Sequence, residues 1–464
     1  MSPLGIQTLS PLDGRYRKQV AGLGEHLSEA GLNRARIQVE IEWLLYLTDH
    51  GLFGARRLTA DESRRLRSLV SDFDDGAVDD LARREAVTRH DVKAVEYYVR
   101  DRLGELGLTE LAELTHFACT SEDVNNLAYA ITLRAAVHDV WIPKARSVVE
   151  VLRQQALALR DVPMLAHTHG QPATPTTMGK ELAVVVHRLE LLLATVDDVE
   201  YRGKFSGATG TFSAHLAADP DYDWISASRD FVTSLGLTWN PLTTQIESHD
   251  WQAQLYQRIS HIGRVLHNLC TDVWSYISMG YFRQIPQEGA TGSSTMPHKI
   301  NPIRFENAEA NLELASALLD SLAATLVTSR LQRDLTDSTT QRNIGVALGH
   351  SLLALDNIEK GLGEIAIDEA ALGRDLDGNW EVLAEAIQTV IRAEVTAGRS
   401  SIADPYAMLK ELTRGHRVGA DELRAFIERL DISAEARSRL TALSPATYVG
   451  LASRLVDYIE PNGS

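Results

Sequence analysis

Cysteine is almost missing from this chain. Cys119 and Cys270 are the only two in 464 residues, too few for a disulfide framework, and the count fits a reducing compartment. Long apolar runs are missing as well. The most apolar stretch, Leu182–Val196, is interrupted by His187, Arg188 and Glu190, so it is too polar to span a bilayer and reads as a buried helix. The opening Met1-Ser2-Pro3-Leu4-Gly5-Ile6 has neither a basic region nor an apolar core, so no signal peptide is expected and a cytoplasmic location is. Positive charge is in deficit, because 46 Lys and Arg stand against 63 Asp and Glu for a net charge of −17. That balance disfavours a general nucleic-acid surface, and any anionic ligand needs a locally basic pocket.

Several chemistries lose support for want of their motifs. The chain carries no Walker loop, no Gly-x-Gly-x-x-Gly, no Gly-x-Ser-x-Gly and no His-Glu-x-x-His. Nucleoside triphosphate hydrolysis, a dinucleotide cofactor, a hydrolase elbow and zinc-peptidase chemistry are disfavoured accordingly. Internal repeats and low-complexity tracts are absent, and strand-like alternation is scarce.

What the sequence has is helical periodicity. Apolar residues recur three and four apart through Ile37–Leu47, Val124–Leu159, Met178–Val199, Trp251–Met279, Phe305–Val327 and Gly345–Leu362. Several of these segments reach 22 residues or more, above the usual globular helix, which predicts an all-α protein built on a bundle of long helices. Thr120-Ser121-Glu122-Asp123 reads as the start of one helix and Asp337-Ser338 as the start of the helix that ends at Gly361 and Gly363. Three domains are expected: a segment of shorter elements over 1–111, the long-helix bundle over 112–364, and a small helical domain over 365–464, where Pro405, Gly415, Gly419 and Pro445 punctuate the chain. Long helices with apolar residues on more than one face need cover, so the bundle is expected to pack against copies of itself.

Chemistry is concentrated in loops and helix starts. Thr291-Gly292-Ser293-Ser294-Thr295-Met296-Pro297-His298-Lys299-Ile300-Asn301-Pro302 packs hydroxyl, imidazole, ammonium and amide groups between breakers. Gly289 and Gly292 allow sharp bends, while Pro297 and Pro302 oppose helical geometry before them, as in a catalytic loop. Five further clusters stand out. Ser10-Pro11-Leu12-Asp13-Gly14-Arg15-Tyr16 makes a turn presenting a guanidinium and a phenol, suited to a phosphate or carboxylate, although such an Arg also reads as a surface charge. Thr88-Arg89-His90-Asp91 precedes the helical run Val92–Leu103, where free N–H groups favour anions and where Asp91 also reads as a cap. His116 lies one turn ahead of Thr120 and Ser121.

The fourth cluster is Ala166-His167-Thr168-His169-Gly170-Gln171-Pro172-Ala173-Thr174-Pro175. Two histidines two apart invite a metal, but no Cys, Asp or Glu flanks them at ligand spacing, and a general acid or base is the better reading. The fifth, Arg330 to Asn343, brings Arg333 and Arg342 to a hydroxyl-rich helix start containing Ser338, Thr339, Thr340 and Gln341, a plausible phosphate clamp or a salt-bridged turn. No metal and no cofactor is expected.

Together these segments resemble the fumarase/aspartase superfamily, whose signature Gly-Ser-Ser-x-Met-Pro-x-Lys-x-Asn-Pro is matched at 292–302. Within it, Ser10–Tyr16, Thr88–Asp91, His116–Asp123, Thr168–Pro175, Asn240–Glu247, His298 and Arg333–Arg342 resemble the bacterial form of the branch acting on succinylated purine nucleotides. The likeness spans about residues 5–455. It implies a three-domain, all-helical homotetramer with active sites built from three subunits. It also implies carbon–nitrogen lyase chemistry: adenylosuccinate to AMP and fumarate, and the succinylated aminoimidazole carboxamide ribotide (SAICAR) to AICAR and fumarate, in purine biosynthesis.

By the same resemblance Ser293 is the base, with Ser294 as the alternative, and His169 is the acid that protonates the leaving nitrogen. Lys299 and Asn301 stabilise the succinyl carboxylates, and His116 orients the acid or contacts substrate. Arg15, Tyr16, Arg89, His90, Asp91, Thr120, Ser121, Gln245, Asn307, Arg333, Ser338, Thr339, Thr340, Gln341 and Arg342 are implied as substrate-binding. Superfamily membership alone does not choose the substrate, so a lyase acting on argininosuccinate or aspartate is the competing reading.

Overall fold

The computed structural model describes residues 8–286, 296, 299–413 and 418–460. Its dominant elements are the long helices Ile142–Ala158, Met178–Asp197, Asp250–Ser278, Ile303–Leu326 and Ile344–Gly363, of 17 to 29 residues. The all-α class is correct, with three two-stranded ladders added among the described residues. Among the described residues no helix is long and apolar enough to cross a membrane.

Two local departures from the periodicity have physical causes. The segment read as one helix over Val124–Leu159 is Ser121–Ala135, a π-helical turn over Ala136–Trp141, and Ile142–Ala158. Pro143 follows that turn; it has no N–H for the ladder and its ring crowds the carbonyl four residues back, which a π turn accommodates. The helix read from Asp337 through Leu362 is likewise two, Thr336–Gln341 and Ile344–Gly363. Asn343 sits at the break and donates its side-chain amide to Thr339 O (3.3 Å), an alternative to the regular ladder.

The chain divides into two compact units. The first comprises 1–145, 192–266 and 310–356. Its N-terminal core gathers Ile37, Ile41, Leu44 and Leu45 of helix Glu29–Asp49 with Val95, Tyr98, Val99 and Leu103 of helix Asp91–Glu105. Trp43, on the same first helix, packs on Phe205 and Phe231 at centroid distances of 4.4 and 5.0 Å. The helices start on recognisable caps: Ser28 accepts from Gly31 N (3.1 Å), and Thr120 N donates to Asp123 Oδ2 (2.8 Å).

The second unit comprises 146–191, 267–309 and 357–464. It holds an antiparallel hairpin, Pro163–Thr168 with Gln171–Thr177, in a segment whose glycine and three prolines read as loop. Pro172 is tolerated opposite His167 because each strand has a free edge and Pro needs no partner there. A second ladder pairs Phe282–Gln284 with Ile365–Ile367. Its C-terminal core collects Leu383, Ile387, Ile391, Leu423, Ile427 and Leu440.

Candidate active site

In the first unit the clusters at residue 90 and residue 342 meet. His90 caps helix Asp91–Glu105, its Nδ1 accepting from Lys93 N at 3.2 Å. Asp91 is therefore inside the helix and has both carboxylate oxygens committed. Oδ1 accepts from Val92 N (2.9 Å); Oδ2 accepts from Arg36 Nη2 (2.8 Å) and Arg342 Nη2 (3.0 Å). Burial alone would raise its carboxyl pKa, but Arg36, the Val92 amide and Arg342 outweigh it, and the pKa is lowered. Arg342 also donates to Glu29, while Arg36, 1% exposed, donates to Asn125 and Asn33 at 2.9 Å each.

A second junction forms around Arg333. Its Nη1 donates to Gln245 Oε1 (3.3 Å), and its Nη2 lies 3.1 Å from Glu122 Oε1 and 3.8 Å from Asp337 Oδ1. Arg333 and Gln245 line an open cleft of ≈ 510 Å³ with Ala208, Thr209 and Asp334. Ser338 N donates to Asp337 Oδ1 (2.6 Å), and Thr340 Oγ1 donates to Thr336 O (2.7 Å). Thr339 is exposed on the same short helix, and Gln341 is buried with its amide 3.4 Å from the His249 ring.

Thr120 and Ser121 sit where the chain enters helix Ser121–Ala135. Behind them Asp123 forms a fully buried pair with Lys204 (2.8 Å) and accepts from Ser206 N (2.8 Å) and Gly207 N (3.1 Å). His116 takes a left-handed backbone, φ 56°, and its ring meets Glu40 at 2.6 Å. Arg15 is exposed with its guanidinium 5.7 Å from the Tyr16 ring centroid, and Arg89 ends its helix at φ 53°.

The second unit holds the remaining predicted residues. His169 and Gly170 form the two-residue tip of the hairpin with φ of 54° and 72°, as a type I′ turn demands. His169 is exposed there, in a conformation that costs any residue with a Cβ, and such strain collects at functional positions. One face of the hairpin is fastened by Asp375, whose Oδ2 accepts from Tyr281 Oη and lies 3.7 Å from His167 Nε2. Lys299 and Asn301 lead into helix Ile303–Leu326, with Lys299 N donating to Met296 O (3.0 Å) and Gln284 Nε2 to Ile300 O (2.6 Å). Asn307 is half-buried one turn into that helix. Ser293, Ser294 and His298 lie outside the described residues.

The two family descriptions that match are "Lyase" over residues 14–315 and "Adenylosuccinate lyase C-terminal" over residues 329–449. Among curated proteins, the adenylosuccinate lyase of Escherichia coli (strain K12) is 44% identical over 98% of this chain and 99% of its own length. The chain belongs to the adenylosuccinate lyase family. The Haemophilus influenzae adenylosuccinate lyase is 43% identical over 97% of this chain and 98% of its own length. Among solved structures, a fumarate lyase from Mesorhizobium sp. BNC1 superposes with TM-score 0.72 at 18% identity, covering 94% of this chain and 96% of that one. The 3-carboxy-cis,cis-muconate lactonizing enzyme from Pseudomonas putida gives 0.68 at 22% identity, with coverage of 94% and 96%. These two likenesses concern the fold.

Sequence reading for this adenylosuccinate lyase family member passed over Arg36 and Glu40, the two buried charges that grip Asp91 and His116. Their signal was present. They stand four apart on helix Glu29–Asp49, on one face and beside Ile37 and Ile41, where a solvated charge is out of place.

Proposed function

We propose that this chain is a carbon–nitrogen lyase that eliminates fumarate from adenylosuccinate to leave AMP, and from SAICAR to leave AICAR. Likeness to adenylosuccinate lyases along essentially the whole chain carries this reading. A base removes a proton from the carbon beside a carboxylate, the electron pair forms the double bond of fumarate, and the C–N bond breaks as the nitrogen takes a proton.

In this reading Ser293 is the base and His169 the acid. Lys299 and Asn301 hold the succinyl carboxylates, and Arg333, Arg342 and the hydroxyls between them bind the nucleotide phosphate, with Gln245, Asn307, Thr120, Ser121, His90, Asp91, Arg89, Arg15 and Tyr16 around the rest of the substrate. A serine hydroxyl is a far weaker acid than imidazole, so an alkoxide needs adjacent cations and loop N–H groups once water is excluded. The tip position of His169 supports its part: an imidazole on a tight, exposed turn reaches a ligand without rearranging a helix. The segments 1–111, 112–364 and 365–464 act as three helical domains of a cytoplasmic homotetramer whose active sites draw on three protomers.

Release of fumarate from adenylosuccinate, followed by ultraviolet absorbance with argininosuccinate and aspartate as parallel substrates, is the test. Turnover of either control with none of adenylosuccinate would replace the proposal by the competing lyase.

A further inference from the structure

His116 is held in an unusual way. Its backbone is left-handed, as is that of Ala118 two residues on (φ 57°), and its own N–H donates to Glu40 Oε2 at 3.0 Å. The other carboxylate oxygen, Oε1, receives His116 Nδ1 at 2.6 Å. One buried carboxylate thus grips both the main chain and the ring of a single residue. Glu40 cannot swing away, because its side chain has no exposed surface and its helix is anchored by Ile37, Ile41 and Leu44. The ring is left with only Nε2 to offer, and 17% of the His116 side chain remains open to solvent.

We infer that Glu40 is a positioning residue that keeps His116 as an imidazolium with Nε2–H directed at an anionic group of the substrate. This rests on the reading of His116 as a residue of the lyase site. The charges that face the ring come from three helices: Glu40 from Glu29–Asp49, Glu96 from Asp91–Glu105, and Asp123 from Ser121–Ala135. Of these, Glu96 is paired with Lys93 (2.8 Å) and Asp123 with Lys204 (2.8 Å), so each is largely neutralised at a distance. Glu40 is the close partner. Burial by itself would discharge the imidazole, yet the Glu40 charge and hydrogen bond override it and the pKa is raised. A carboxylate that held the ring only for packing would have no need to take the main-chain N–H of the same strained residue as well.

The test begins with the intact wild-type protein. Histidine labelled with 15N reports each ring's charge by long-range correlation spectra, and the His116→Asn spectrum identifies the His116 signals. His116 is expected to stay doubly protonated above the ordinary value of about 6.5; titration at or below that value overturns the inference. In Glu40→Gln the amide keeps a hydrogen-bonding partner but removes the charge. The His116 titration is then expected to move down, and kcat/KM to drop about tenfold at pH 8 while approaching wild type near pH 5.5. Glu40→Asp is expected to restore part of the pH 8 rate.

A loss of equal size at every pH, with the His116 titration unmoved, would make Glu40 a packing residue only. Should Glu40→Gln fail to fold, His116→Asn decides: wild-type kcat/KM is expected to fall on the alkaline side and the variant's is expected to lack that fall, and an unchanged pH profile overturns the inference. The ring titration is read without turnover, so absence of fumarate release would overturn the lyase reading and leave the Glu40 grip separately measured.

Discussion

Asp91 and Arg342 stand 251 positions apart in the chain and meet at 3.0 Å. The contact joins two clusters that sequence reading had to treat as separate, one at a helix start and one at a helix break. It also makes Asp91 the bridge between Arg342 and the buried Arg36.

Replacing Asp91 by Asn tests that bridge. Arg36 would keep its amide partners and lose its anion, and breaking a buried pair from one side costs on the order of 3 kcal/mol. Chemical denaturation at pH 7 measures it. The sign of the pH dependence follows from the lowered pKa of Asp91: its contribution is present above the unfolded carboxyl value of about 3.9 and is lost as pH falls through the folded value. The Asn variant should lack that part of the acid limb.

Substitution of Ser293 or His169 by Ala should each lower kcat by at least ~10²-fold, the usual size of a general acid or base effect. Fumarate release under saturating substrate is the measurement. Near-normal turnover in both variants would remove these two residues from the chemistry.

His169 offers a trade between stability and activity. At φ 54° a residue with a Cβ is strained by about 1 kcal/mol, and glycine is not. His169→Gly should therefore raise the unfolding midpoint slightly while abolishing proton delivery. A variant destabilised by the change would show that the imidazole holds the turn through contacts rather than enduring it.

His215 is 1% exposed among Trp43, Phe205, Phe212 and Trp224, and neither ring nitrogen has a partner among the described residues. Burial lowers its pKa, so the folded protein refuses a proton that the unfolded chain accepts below about 6.5. Stability should fall as pH drops from 6.5 toward 5, by about 1.4 kcal/mol for each unit by which the folded pKa is depressed. His215→Phe should flatten that limb in thermal melts across the range; an acid limb of unchanged steepness would place the sensitivity elsewhere.

Helical class, the approximate spans of the long helices and the signature at 292–302 were legible in residue order, because 3.6-residue periodicity, caps and breakers are local properties. The resemblance those residues carry reached the family, and full-length similarity bears it out. Locality also explains the failures. The hairpin at 163–177 was hidden because its strands carry the prolines of a loop, and two edge strands tolerate prolines that a larger sheet would reject. The break at Arg342–Asn343 turns on one amide competing with the ladder. Tertiary structure alone decided which charge meets which. Glu40 reaches His116 across 76 positions, Arg36 reaches Asp91 across 55, and Gln245 reaches Arg333 across 88. Such pairings depend on where helices end up in space, and burial strengthens them by removing the water that would otherwise satisfy each group alone.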